Sequence, residues 1–287
     1  MITVIWITFA VLAVVVGIVL FRDIYAHRNQ LEANSWWKTG VIGFIGNFFD
    51  TLGIGSFATE TAMFKFTKQS EDRLIPATLN VANAIPTIAQ GIIFIRIIEV
   101  EPVTLTLMLA ASGLGAVLGA GIVAKFQERR IQYTMGVALL ITAGFMLATR
   151  FNLIQGGGEA IGLEGAKLWF AVGINFILGA LMTAGIGLYA PCMALVFALG
   201  LSPAVAFPIM MGSCAVLMPL ASIRFIRAGV YNRRASAIIS FTGLVGVLIA
   251  AFVVKSLPLD TLRWLVIAVI IYTSLAMLRS AVVSKKA

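Results

Sequence analysis

Charge is what this chain has least of. Only 11% of its 287 residues are Asp, Glu, Lys or Arg, where an ordinary globular domain carries about 25%. The hydrophobic share is 60% and the mean hydropathy is +1.01. An apolar core in a polar shell is excluded, because too little polar surface is present to cover it. Histidine is nearly missing: His27 alone leaves no triad or histidine-based metal centre to build. Cys192 and Cys214 are the two cysteines, and both fall inside apolar segments. They form neither a disulfide framework nor a zinc site, which usually needs four ligands. There is no G-x-x-x-x-G-K-[ST], H-E-x-x-H or G-x-S-x-G. Phosphate binding by a P-loop, zinc proteolysis and a nucleophile elbow therefore lack sequence support. The chain is read as a non-enzyme, with no cofactor and no metal.

What it has instead is apolar length. Residues 1–21, "MITVIWITFAVLAVVVGIVLF", carry no charge and reach the roughly 20 residues that cross a bilayer. The stretch has no basic n-region and no A-x-A-like cleavage site, so residues 1–22 are read as a retained transmembrane helix rather than a signal peptide. Lys plus Arg outnumber Asp plus Glu by 21 to 12. These bases lie between apolar segments, where they set topology; no nucleic acid is expected as a partner. The partners expected are the lipid bilayer and a small anion. A homodimer is compatible with the composition, but no sequence feature requires one.

The chain repeats itself. Shifted by 132 residues, Phe44, Ile45 and Thr51 fall on Phe176, Ile177 and Thr183, and Gly53-Ile54-Gly55 falls on Gly185-Ile186-Gly187. Pro76 falls on Pro208. With two one-residue deletions, Arg96 meets Arg227, Gly113 meets Gly243 and Lys125 meets Lys255. Two repeats follow, at 36–150 and 165–282, in one membrane domain. Each has a short apolar arm (38–51; 166–183), the Gly-Ile-Gly, and a second arm (56–66; 188–199). Three longer segments come next: 74–96, 104–125 and 131–149, then 204–226, 235–254 and 262–280. All are read as helices, because an open strand cannot satisfy its backbone in lipid.

The positive-inside rule orients them. The loops with Lys65, Lys68 and Arg73, with Lys125, Arg129 and Arg130, and with Arg224, Arg227, Arg233 and Arg234 read as cytoplasmic. So does the tail with Arg279, Lys285 and Lys286. The loops with Arg96, Glu99 and Glu101, near Gly156, and with Lys255, Asp260 and Arg263 read as outside. Equivalent loops thus lie on opposite sides, which makes an inverted repeat with the N-terminus outside and the C-terminus cytoplasmic. The stretches Lys38–Lys65 and Lys167–Leu199 each start and end on one side. Neither comfortably holds two spans, so each is read as a re-entrant helical hairpin with Gly-Ile-Gly at its tip; a single broken spanning helix is the alternative.

Glycine suits such a tip because a sharp reversal needs φ values that other residues take at a cost. The arm after each tip turns its N-terminal N–H groups and the positive end of its dipole inward, which is an anion site. Inverted transporters with discontinuous helices use this geometry. The candidate substrate-binding residues are those around the tips and on the next helix. On the first tip they are Thr51, Gly53, Gly55, Ser56, Phe57 and Thr59. On the second they are Thr183, Gly185, Gly187, Leu188, Tyr189 and Cys192. Asn80, Asn83 and Thr87 share one helical face at i, i+3 and i+7, which Gln90 extends; Ser213, on the second-half segment 204–226, joins them. Pro76, Pro86, Pro208 and Pro219 can kink these two helices. Any one Asn or Thr can equally serve as interhelical glue.

Two carboxylates stand in the first tip, Asp50 and Glu60; their second-half counterparts are Met182 and Cys192. An ionisable group in a membrane is costly and points to function. A carboxylate repels an incoming anion unless it is protonated, and burial favours the protonated form. Asp50, and after it Glu60, are therefore the proton-coupling candidates. The bland alternative is that Asp50 accepts tip N–H groups.

The stretches "GNFFDTLGIGSFATETAMF" and "GALMTAGIGLYAPCMALVFALGLSP", with Pro76, Pro208 and the repeat frame over about 38–280, resemble the TauE/SafE family of sulfite exporters and sulfonate permeases. Typical members carry a richer G-x-G-G-G; here Ser56-Phe57 and Leu188-Tyr189 replace the later glycines, as in a divergent subgroup. The resemblance implies transport of sulfite, sulfoacetate or other organosulfonates across a prokaryotic inner membrane. An anion channel of the same architecture, or a carrier of an unrelated organic anion, is the alternative.

Overall fold

A computed structural model describes residues 2–151, 153, 158–253 and 259–283. Among them are eleven α-helices and no strand. The first half holds α1 (Ile2–Ala26), α2 (Trp36–Thr51), α3 (Ser56–Thr67), α4 (Ile75–Ile97), α5 (Pro102–Val123) and α6 (Glu128–Arg150). The second holds α7 (Gly165–Met182), α8 (Tyr189–Ala198), α9 (Ala206–Ala228), α10 (Arg233–Val253) and α11 (Leu259–Val283). Among the described residues, six helices are long and apolar enough to cross a membrane: α1, α4, α5, α7, α9 and α10. The chain is an all-α, multi-pass membrane protein. Gly156, Lys255, Lys285 and Lys286, used above for topology, lie outside the described residues.

Every expected segment has its helix, with ends shifted by a few residues. α1 runs on to Ala26 rather than stopping at 22, because its polar last turn has partners. Asp23 Oδ2 accepts the Tyr231 hydroxyl at 2.6 Å and Arg233 Nε at 2.7 Å. Two of the four expected kinks are corrected. Pro76 and Pro208 lie in the first turns of α4 and α9, where a missing N–H costs nothing. Pro86 and Pro219 are the interior ones.

α4 and α9 pack together at the centre of the molecule. α2 lies on α10, and α7 lies on α5. α10 also contacts α4 as α5 contacts α9, and α6 pairs with α11. Exchanging the two halves turns α2–α10 into α7–α5 and α4–α10 into α9–α5, and leaves α4–α9 and α6–α11 as they are. α1 falls outside this pattern and covers α4 and α9. Phe9 fills the space left by Gly91, while Val4, Val11, Val14, Ile18 and Phe21 on its other faces are exposed, as lipid contact requires.

α2–α3 and α7–α8 each close at the base. Ser35 N–H donates to Gln69 Oε1 at 2.7 Å, joining the start of α2 to the segment after α3. In the second hairpin Gly158 N–H donates to the Leu201 carbonyl at 3.1 Å, and Ser202 N–H to that of Ala160 at 2.8 Å. Each base is pinned to the start of a long helix from the other half. Glu32 accepts the Arg233 and Arg234 N–H groups, both at 3.1 Å, and so caps α10 beside the first base. Beside the second base, Glu101 caps α5 through Val103 N–H at 2.8 Å and Thr104 N–H at 2.6 Å, and its own N–H holds the Ile161 carbonyl. Burial works against the Glu101 charge, but the Thr104 and Val103 donors prevail and hold its carboxyl below the usual range.

The two bases lie at opposite ends of α4. Asn232, which adjoins the first base, donates to Thr78 Oγ1 at 2.9 Å near the start of α4, whereas Glu101 follows its end.

Glycine sets the approach of the crossing helices. A methyl group on Gly115 would overlap the Phe176 carbonyl, and one on Gly179 the Ser112 carbonyl, so α5 and α7 meet backbone to backbone. Gly246 does the same against Phe44 where α10 crosses α2. Small residues are the usual way to bring helices close in lipid.

Two outcomes are expected in thermal unfolding of the detergent-solubilised chain. Gly115→Ala should cost about 2 kcal/mol through overpacking, although alanine in an open helix would gain about 1 kcal/mol; a gain would show that this crossing is not tight. Lys68→Gly should stabilise by about 1 kcal/mol, because Lys68 has φ 52° where the second half has Gly200 at 84°.

Candidate functional site

The two Gly-Ile-Gly turns are the same object. In the first, Leu52 N–H bonds to the Phe49 carbonyl at 3.1 Å, Gly53 N–H to Asp50 at 2.9 Å and Ile54 N–H to Phe49 at 3.1 Å. In the second, Ala184 N–H bonds to Leu181 at 3.0 Å, Gly185 N–H to Met182 at 3.0 Å and Ile186 N–H to Leu181 at 3.3 Å. Each bond recurs 132 residues on. The pattern is a Schellman ending, whose glycine must take a left-handed conformation; Gly53 has φ 81° and Gly185 has φ 97°. The isoleucine between the glycines makes the hydrophobic contact that accompanies this ending: Ile54 packs in a cluster with Phe49.

The arms fold back on each other. Asn47 on α2 donates to Glu60 on α3 at 3.1 Å. In one continuing helix, residues 13 apart would be about 20 Å apart. Gly46 makes room for the Glu60 side chain, which a methyl group there would strike.

Asp50 is where the tips meet. It is buried, and its Oδ1 accepts the Ser56 N–H, the first of α3. Its Oδ2 accepts the hydroxyl of Tyr189, the first residue of α8, at 2.9 Å. The single Tyr189 proton also faces Gln90 Oε1 at 3.4 Å, and the Gln90 amide donates to Thr51 Oγ1 at 3.1 Å. A polar chain thus links α2, α3, α4 and α8 across the two halves. Asp50 does accept a tip N–H, as the bland sequence reading had it.

Glu60 lies in a second buried cluster. Asn47 Nδ2 reaches Glu60 Oε1 at 3.1 Å and Asn83 Oδ1 at 2.6 Å, and Asn83 Nδ2 reaches Glu60 Oε2 at 2.8 Å. The carboxylate is held by amides; the described ion pairs do not include it.

The other candidates divide. Gly55 and Gly187 have nothing within 4 Å of where a side chain would begin, so both tips border unfilled space. Gly53 packs on Phe207 of α9 and Gly185 on Met135 of α6. Phe57, Leu188 and Cys192 lie in the apolar core. The Thr59 hydroxyl bonds within its own turn, to the Ser56 carbonyl at 2.9 Å. Asn80 donates to the Pro76 carbonyl at 2.8 Å, and Thr87 turns to α9 and faces Met218 Sδ at 3.5 Å. Thr183 bonds to the Ala180 carbonyl at 2.7 Å and packs on Gly119 of α5. Ser213 accepts from Asn175 at 2.9 Å, between α9 and α7. The face Asn80–Asn83–Thr87 is therefore split: Asn83 serves Glu60, while the Thr87 hydroxyl bonds to the Asn83 carbonyl of its own helix at 2.8 Å and lies against α9. Asn47 escaped the sequence reading, although it precedes Thr51 by one helical turn; the Thr51 hydroxyl donates back to its carbonyl at 2.8 Å.

Membrane-spanning helices around an enclosed polar centre are the build of a membrane transporter. A family model described as sulfite exporter TauE/SafE matches residues 3–146, half of the chain, from α1 into α6. The chain belongs to the TauE/SafE family, a family of membrane transporters. No curated protein and no solved structure shows significant similarity to it.

Removing the Glu60 carboxylate leaves two buried amides without their acceptor. Glu60→Ala should cost about 3 kcal/mol and Glu60→Gln about 1 kcal/mol, read as melting temperature in detergent. A Glu60→Ala protein as stable as the parent would mean that this cluster does not hold the first hairpin to α4.

Proposed function

We propose that the chain is a secondary transporter for small sulfur-containing anions, with sulfite, sulfoacetate and other organosulfonates as the substrate class. The family supports the class. The observation that carries the site is the Tyr189–Asp50 bond at 2.9 Å, which joins the two tips. The anion sits between the tips, at the start of α3 and beside the first turn of α8. Its donors there are the Ser56 N–H and the Tyr189 hydroxyl. In this reading the halves are inverted repeats and the hairpins are re-entrant. Hairpin bases at opposite ends of α4, and pairings preserved when the halves are exchanged, support this arrangement. Alternating access then moves one half against the other around the tips. The basic loops beside Arg73, Arg130 and Arg234 favour a cytoplasmic face there, which puts the N-terminus outside and the C-terminus inside the inner membrane.

Proton coupling runs through Asp50, with Glu60 as the second carboxylate of the same hairpin. Entry of an anion beside Asp50 favours uptake of a proton, since two like charges at one buried site oppose each other. A channel of the same architecture is separated from a carrier by counterflow.

Proteoliposomes loaded with sulfite, sulfoacetate, taurine, thiosulfate or sulfate provide the test. Saturable exchange of one of these anions, driven by a pH gradient, is expected. Gly187→Leu puts a side chain where a Cβ would meet nothing within 4 Å, and should abolish exchange by filling the tip, with monodispersity as the check that it folds. Asp50→Asn should remove the pH dependence; if the dependence survives, Asp50 is not the coupling group. Flux without counterflow would identify a channel.

A further inference from the structure

The donors at the meeting of the tips are already in use. The N-terminal N–H of a helix and a hydroxyl from the opposite hairpin are what an oxyanion needs. Both are held by the carboxylate of Asp50, through Ser56 N–H and Tyr189 at 2.9 Å. Asp50 reaches them because the Schellman turn brings the last turn of α2 beside the first of α3. Its oxygens stand where two oxygens of a sulfite or sulfonate group would bind.

A second observation points to a ligand at this place. Ser56 is 1% exposed, and its buried hydroxyl, on the residue whose N–H Asp50 accepts, has no hydrogen bond of acceptable geometry. A buried hydroxyl without a partner is unusual and calls for one. Gly55, just before it, and Gly187 on the other tip border open space. Asp50 offers two oxygens. A sulfite or sulfonate group carries three, and the third has an unused donor in Ser56 Oγ.

We propose that Asp50 is a built-in stand-in for the transported anion. Its carboxylate fills the donor seat between the tips, and an incoming oxyanion must displace it to bind. The inference rests on the tip reading proposed above and adds a competitor to it. Affinity for the substrate is set low by an internal rival, and the seat keeps its shape between substrates because its donors stay bonded. Glu60 is not a stand-in: its partners are the amides of Asn47 and Asn83, away from either helix start.

Calorimetry on the full chain in detergent tests this, with sulfite and formate as probes and monodispersity as the check of folding. Asp50→Ala should bind sulfite at least tenfold more tightly than the parent. It should also bind formate, which replaces the missing carboxylate, and formate should compete with sulfite; the parent should bind no formate. Asp50→Asn, which still fills the seat but without charge, should gain about threefold. Where the parent binds sulfite, a monodisperse Asp50→Ala protein that binds it no more tightly overturns the stand-in and leaves the transporter reading standing; a monodisperse Asp50→Ala protein that binds neither probe overturns the stand-in as well. Formate binding by Asp50→Ala with no sulfite binding by either protein supports the stand-in and removes the sulfur-anion class. If Asp50→Ala does not fold, Asp50→Asn decides, and affinity equal to or below the parent's overturns the proposal.

Discussion

A chain that reverses direction between two packed, buried arms has to satisfy the backbone of the turn from its own groups. That constraint organises this molecule. At each Gly-Ile-Gly the last carbonyls of one arm are closed by the N–H groups of the turn itself, with the same bonds in both halves. The N–H groups that begin the next arm cannot be closed in that way. In the first half a side chain from the preceding arm, Asp50, takes the first of them. The long helices pack around the two short hairpins, and the glycines of α5, α7 and α10 let them approach closely.

The repeat, the helical class and the tips were legible because they rest on glycine, proline and apolar length. A left-handed position admits few residues besides glycine, so the motif reveals the turn before any coordinates do. The rotation of each helix about its axis was not legible. Asn83 and Thr87 share a face by spacing, yet one meets Glu60 and the other lies against Met218, because α1, α2, α3, α9 and α10 all pack around α4. Thr183 sits at the right distance from its tip but points to α5. For Asp50 both sequence readings concerned the same atoms. Which tip N–H it takes, and that Tyr189 would reach it from 139 residues away, depends on how two hairpins dock, and local pattern does not carry that.

The two halves share a backbone plan but not a chemistry. Asn47, Asp50 and Glu60 correspond to Gly179, Met182 and Cys192. Where the first half places a carboxylate at the turn, the second has a thioether 3.6 Å from the Cys214 thiol. The polar chain through Tyr189 and Gln90 therefore serves one tip and draws on both halves to do so.

That unevenness bears on energetics as well as on contacts. Under the proposed inverted-repeat carrier, two identical halves would make the form open to one side and the form open to the other equal in free energy by symmetry. Confining both buried carboxylates to one hairpin lifts that degeneracy. Under that cycle, the protein without substrate rests unequally on the two sides of the membrane, and the bias follows from which half carries the acids. The two sides would then differ in apparent affinity for the substrate, while the gradient alone still sets the direction of net flux.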